Sequence, residues 1–308
     1  MRVADRAGEG DIAMACAVRL GHVHAEAGDL AALDRLTGTL EQRAERLGYP
    51  HARLWPSIFT ASRLIRERQL AAAEAAIERV RADALKTSEP AGEPYCAFLL
   101  GLLRLEQGTF EGLVEVFDRL ATWVPDLPVD GPLPLILAGT GDIEKALLTY
   151  QHLVARRPWE SSDHMGTIGS LTMLAACAAR FEDAETAAGI YPVLAPHAGE
   201  FAVIPSVAGV LCPMTHTLGE LCGTIGRYDE AVAHLERAIE ECRRAALHSN
   251  AVRIQLAWGR VLARRNATGD LRRARALGRE AQQRAEALAM PLLVGDAVAF
   301  NAILPARN

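Results

Sequence analysis

The chain has 308 residues, 50% of them hydrophobic and 23% charged, which is ample material for a core. Its net charge of −5 and pI near 6.0 offer no concentrated basic surface, so the sequence excludes nucleic acid as the expected partner. The longest uninterrupted apolar run, near 95–103, falls far short of the roughly 20 residues of a membrane span, which excludes a membrane protein of the helical kind.

In chain order, the first predicted helix covers 11–27 and ends in the turn AGDLAAL (27–33). A second pair follows, with a helix over 51–68 and the turn ERQLAAAEAAI (67–77). The third has a highly apolar helix over 93–107 and QGTFEGLVEVF (107–117). The fourth has a short helix over 133–138, confined by Pro132 and Pro134, and TGDIEKALLTY (140–150). The fifth has a long helix over 163–179 and ARFEDAETAAGIY (179–191). The sixth has a helix over 207–225, which Pro213 is expected to kink, and GRYDEAVAHL (226–235). The seventh has a helix over 250–265 and GDLRRARAL (269–277). A closing helix over 290–304 ends the series.

The second helix of the sixth pair shows the underlying pattern. In GRYDEAVAHLERAI the apolar positions Tyr228, Ala231, Val232, Leu235, Ala238 and Ile239 fall on one helical face. The anchor residues after the turns are Leu30, Leu70, Phe110, Ile143, Phe181, Tyr228 and Leu271, spaced 40, 40, 33, 38, 47 and 43 residues apart. Such a period without a strand pattern is the signature of stacked helical hairpins. Glycine before the anchor allows a left-handed C-cap, and Asp29, Asp142 and Asp270 are placed to cap second helices. Gln69 and Arg180 stand near the glycine slot, so those two turns are expected to be looser or differently capped. The expected fold is all-α: a right-handed α-solenoid of about seven helical hairpins plus a C-terminal closing helix, forming a single domain over 1–308. The rhythm weakens at the proline-rich stretch 124–134 and at a long loop, 191–206, read as a lid where the stack bends or as a functional loop.

The turn pattern G-x-[aromatic or aliphatic]-x-x-A resembles that of the tetratricopeptide repeat (TPR), with Gly226, Tyr228, Ala231 and Ala238 in the family's places. Units of about 40 residues with linkers such as ERLGYPHAR (45–53) and AEALAMPLL (285–293) further resemble the C-terminal arrays of bacterial regulators, the signal-transducing ATPases of the MalT-like and adenylate-cyclase-associated type. The resemblance implies the scaffold alone. The chain has no G-x-x-x-x-G-K-[ST] and no helix-turn-helix with a basic recognition helix, so ATPase and DNA-binding activities are not carried over.

Candidate chemistry is sparse. Cys212, His216 and Glu220 are spaced to share one helical face, as thiolate, base and orienter or as metal ligands; the competing reading is a buried thiol and a hydrogen-bonded histidine. Asp163 and His164 stand near a helix start, where capping competes with an acid–base pair formed by Asp163 and His216 across adjacent units. His22 and His24, two apart, point to different sides of a helix and make poor joint ligands, so no metal and no cofactor is expected. Arg53, Trp55, Arg104, Glu106, Arg253, Gln255 and Trp258 lie on first helices, which line the concave surface of such arrays, and arginine beside tryptophan suits either binding or packing. The densest basic run, Arg264, Arg265, Arg272, Arg273 and Arg275, reads as a solvated helix end. Six scattered cysteines without a C-x-x-C pair, and a charged N-terminus unlike a signal peptide, place the expected location in the cytoplasm.

The expected function is therefore a non-enzymatic protein–protein interaction scaffold or regulatory module that binds a peptide or partner helix in its concave groove. The alternative is a small-molecule sensor or enzyme with a polar pocket in that groove. A structural remnant without a ligand is the third reading.

Overall fold

The computed structural model describes residues 10–48, 50–87, 92–123, 131–160, 167–204 and 209–305. Among them are fifteen α-helices: α1 (Gly10–Glu26), α2 (Leu30–Leu47), α3 (Pro50–Arg66), α4 (Leu70–Thr87), α5 (Gly92–Gln107), α6 (Leu113–Trp123), α7 (Leu133–Gly139), α8 (Ile143–Val154), α9 (Thr167–Arg180), α10 (Ala184–Leu194), α11 (Met214–Ile225), α12 (Tyr228–Arg244), α13 (His248–Arg265), α14 (Asp270–Ala287) and α15 (Pro291–Ile303). Each second helix starts within two residues of its anchor, apart from α6 and α10, which begin three residues after Phe110 and Phe181. The 3.6-residue apolar pattern and the turn residues specify these boundaries locally.

Consecutive helices pack on each other from α1 to α8 and again from α9 to α15, and odd-numbered neighbours also touch: α1 on α3, α3 on α5, α7 on α9, α9 on α11, α11 on α13 and α13 on α15. This is the contact pattern of a helical repeat. Alanine makes the close layers feasible. Ala13, Ala61, Ala73, Ala146, Ala175, Ala187, Ala231, Ala274 and Ala281 are all fully buried.

Turn chemistry repeats as well. Gly28, Gly108, Gly141 and Gly226 take positive φ. The two turns expected to be looser keep the same left-handed residue, supplied by Arg68 (φ 59) and Glu182 (φ 57) instead of glycine. The side chains compensate for the unfavourable conformation: Arg68 is held by an ion pair, and Asp183 caps α10 by accepting from the Thr186 N–H at 3.0 Å. Asp29 and Asp142 cap α2 and α8 in the same way. Asp270 does not. The cap of α14 is Gly269, and the buried Asp270 carboxylate turns back to accept from the Ala267 N–H and from Nε and Nη2 of Arg265.

The main departure from the expected pattern is a β-hairpin. Strand β1 (Phe201–Ile204) pairs antiparallel with β2 (Gly209–Pro213), with a bulge at Ala202/Val203. The stretch 191–206 is thus not a loop, and no helix spans 207–225. Its first part extends α10 and a short 3-10 turn (Ala195–His197), and its last described part is a strand. Pro213 does not kink a helix; it ends β2 and is the N-cap of α11 with extended backbone (φ −60, ψ 137), while its ring restricts Cys212 to extended geometry too. The hairpin packs on α1, α3, α5, α9, α11 and α12, so it lies on the odd-helix side of the array. One hydrophobic cluster consequently runs from Met14 in α1 to Phe300 in α15, through Phe201 and Val203 of β1. Gly28 permits this contact, because a Cβ there would stand 2.3 Å from the Phe201 ring.

Candidate functional site

A polar cluster lies where the hairpin meets α3, α5 and α13. A cavity of about 40 Å³ opens there, lined by Ser62, Arg66, Glu106, Ser249, Asn250 and the β2 backbone from Gly209. That volume suits roughly three waters and is far below the several hundred Å³ of a drug-sized pocket.

Glu106, at the end of α5, organises the wall. Its Oε1 accepts from Arg253 Nη1 at 3.0 Å, and its Oε2 accepts from Arg68 Nη1 at 2.7 Å. Arg253 also donates to the Leu105 carbonyl, and Arg68 to the Glu106 and Ala289 carbonyls. Burial alone would raise the Glu106 carboxyl, but Arg253, Ser249 and Arg68 outweigh it and hold the group below its ordinary range. Asn250 Nδ2 donates to the Leu211 carbonyl and so fastens β2 to α13. Arg66 is bidentate to Asp34 through one nitrogen, at 2.7 Å to each oxygen.

Of the Cys212–His216–Glu220 face predicted from spacing, His216 and Glu220 share α11 but Cys212 does not. Cys212 is in β2 and His216 in the first turn of α11, so the four-residue spacing is not a helical turn. The thiol lies 3.4 Å from Thr217 Oγ1, and burial pushes it up to about 12, which leaves no thiolate near neutrality. His216 is buried, and neither ring nitrogen has a hydrogen-bond partner among the described residues; its Nε2 is 3.7 Å from Glu220 Oε1. Burial lowers its pKa, Glu220 opposes the shift and Arg253 adds to it. Asp163 and His164 lie outside the described residues, and with them the proposed Asp163–His216 pair.

The six groove candidates are dispersed. Arg53 is exposed on α3. Trp55 packs against Tyr95 with the rings tilted and their centroids 5.3 Å apart, joining α3 to α5. Arg104 binds Gln107 at 2.6 Å and Glu74 at 3.3 Å. Gln255 is buried and donates to Glu280, and Trp258 is buried beneath the Arg273 guanidinium, 4.2 Å above the ring. Arg253 alone among them bonds to the junction, and it does so as an internal ion pair. The basic run of α13 and α14 is likewise engaged: Arg264 with Glu182, Arg265 with Asp229 and Asp270, and Arg273 with Glu236.

Arg68, Ser62, Arg66, Ser249 and Asn250 were not singled out by sequence reasoning. One signal was present for Arg68: it is a long charged residue in a turn whose siblings carry glycine.

No family model matches this chain, and no curated protein matches it.

Proposed function

We infer that this chain is a non-enzymatic regulatory module of the tetratricopeptide type, a right-handed superhelix of about seven hairpins closed by α15, which receives an extended segment of a partner protein on its odd-helix side. One observation carries the reading. That side already receives an extended segment of this chain: β2 lies against α3, α5 and α11, and a side-chain amide, that of Asn250, bonds its backbone at Leu211. Apolar helix walls with polar groups aimed at a main chain are what peptide recognition by strand or extended segment requires. The resemblance to arrays of bacterial regulators fits the same role, and scattered free thiols, five of them buried, suit a reducing cytoplasm.

A second reading, a small polar ligand, rests on the cavity lined by Arg66, Glu106 and Asn250. Its volume of about 40 Å³ limits such a ligand to a few heavy atoms unless the hairpin moves.

Native mass spectrometry of the protein purified gently from its own cells tests both. A stoichiometric second polypeptide supports the module. Extra mass from a small polar molecule that survives desalting overturns it in favour of the ligand reading.

A further inference from the structure

Helix α13 begins at the cavity between the hairpin, α3 and α5. Leu247 is its N-cap, so no side chain caps it, and its first turn holds no acidic residue. Leu247, Ser249 and Asn250 all line the cavity. No backbone carbonyl among the described residues accepts from the Ser249 or Asn250 N–H. The positive end of an 18-residue helix thus meets a polar space inside the protein.

Two side chains add to the helix end. Arg66 lines the cavity from α3, with its side chain 13% exposed, and commits one nitrogen, Nη2, to Asp34. No described residue accepts from its other N–H groups. Asn250 is 8% exposed; its Nδ2 donates to the Leu211 carbonyl, and no described residue donates to its Oδ1. Donors from α3 and α13 and one acceptor therefore surround the same space without protein partners. The ionised groups that line it, or bond to those that do, are Arg66, Arg68 and Arg253 against Asp34 and Glu106, which leaves a positive charge in excess. Such a surplus, sheltered from water, favours an anion. Size and hydrogen bonding narrow it. The volume of about 40 Å³ holds roughly three waters, or the three oxygens of a planar ion. Tetrahedral phosphate and sulfate need more room. Nitrate, formate and acetate carry no proton for Asn250 Oδ1, whereas bicarbonate has one hydroxyl that donates and two oxygens that accept.

We propose that this cavity is a bicarbonate site, with the ion held by Arg66 and the amides at the start of α13 and its hydroxyl given to Asn250. The ion joins α3 to α13 beside β2, and so acts as an effector that braces the odd-helix side. The inference rests on the small-ligand reading of the cavity and names its occupant. An ion of so few atoms binds on the order of millimolar strength and is lost on desalting, so the module reading does not depend on it.

Scanning calorimetry of the whole chain at mildly alkaline pH, titrated with sodium bicarbonate against sodium chloride and sodium nitrate of equal ionic strength, tests this. The expected result is a saturable rise in Tm of about 2 °C at tens of millimolar bicarbonate, absent in the other two salts. Arg66→Lys keeps one nitrogen for Asp34 and loses the other donors, and should need about tenfold more bicarbonate for the same rise. Amide shifts of Ser249 and Asn250 in the unmodified protein give a readout that does not depend on the variant folding; they should move saturably with bicarbonate. An equal rise in nitrate or chloride overturns the proposal, as do shifts confined to other residues. A rise with neutral urea but none with bicarbonate overturns the anion and keeps the small-ligand reading. No response to either means a cavity of water only, and overturns both.

Discussion

Arg253 Nη1 lies 3.0 Å from Glu106 Oε1 and so joins α13 to α5 across 147 residues of sequence. Arg68 reaches the other carboxylate oxygen from the turn between α3 and α4, so one buried anion ties three separate hairpins.

Replacing that anion should be costly in a pH-dependent way. Glu106→Gln leaves two arginines without their counter-charge, and we expect a loss of about 3 kcal/mol at neutral pH. The Glu106 pKa is lower in the folded chain than its ordinary 4.5, so its contribution is present above that value and disappears as pH falls through the folded value. Urea midpoints of the two proteins should therefore differ at pH 7 and converge in acid. A gap of constant size across that range would refute the ionic account.

Two histidines act in the same direction, beginning at higher pH. Burial, aided by Arg19, lowers His22 from 6.5 to about 4, and burial lowers His216. The unfolded chain takes up a proton near 6.5 while the folded chain resists, so stability should fall as pH drops from about 6.5 toward 4. His216→Leu removes a buried ring whose nitrogens lack partners among the described residues, and should leave stability at pH 7 equal or higher while shrinking the loss between pH 7 and pH 5. Denaturant titrations at the two pH values measure this; an unchanged slope excludes His216 as a contributor.

Gly28→Ala should loosen the hairpin. Its φ of 68 disfavours a side chain, and the new Cβ meets the Phe201 ring. Together the conformation and the clash should cost about 2–4 kcal/mol. Amide hydrogen exchange of 201–204 should accelerate more than that of α12. Equal acceleration in both segments would show a global effect instead of a local one.

Thiol reactivity follows burial. Cys16 is exposed, whereas Cys96, Cys177, Cys212, Cys222 and Cys242 are buried, and burial pushes Cys96, Cys177 and Cys212 up to about 12. Iodoacetamide at mildly alkaline pH should label one cysteine of the native chain quickly and all six only after denaturation. Rapid native labelling of Cys212 would revive the nucleophile discarded above.

The helices were legible because their signals are local. Leu30, Leu70, Ile143 and Tyr228 each start a second helix, and Asp29 and Asp142 cap them as spacing suggests. The hairpin was not, although FAVI and GVLCP contain β-branched residues and prolines bound them. A four-residue strand has too few alternations to stand out from a loop, and its stability comes from α1, α3, α5 and α11, whose approach no local pattern encodes. The error at Cys212 and His216 follows from that one: a four-residue spacing means a shared face only if the segment is helical. Asp270 shows a subtler limit, since the turn pattern placed it near the cap but Arg265, five residues earlier at the end of α13, took its carboxylate. The Glu106 junction joins residues more than a hundred positions apart, and nothing in the sequence marks Ser249 or Asn250 as its members.

The bridge from Arg68 to the Ala289 carbonyl and the tie from Glu106 to Arg253 alter how such an array comes apart. An open stack frays from its ends, one hairpin at a time, because each unit depends only on its neighbours. A stack whose early turns are fastened to its last helices has lost that freedom. Erosion of the C-terminal pair must also unbuckle α5, so the chain should resist stepwise trimming by proteases and yield, once it yields, as a single unit.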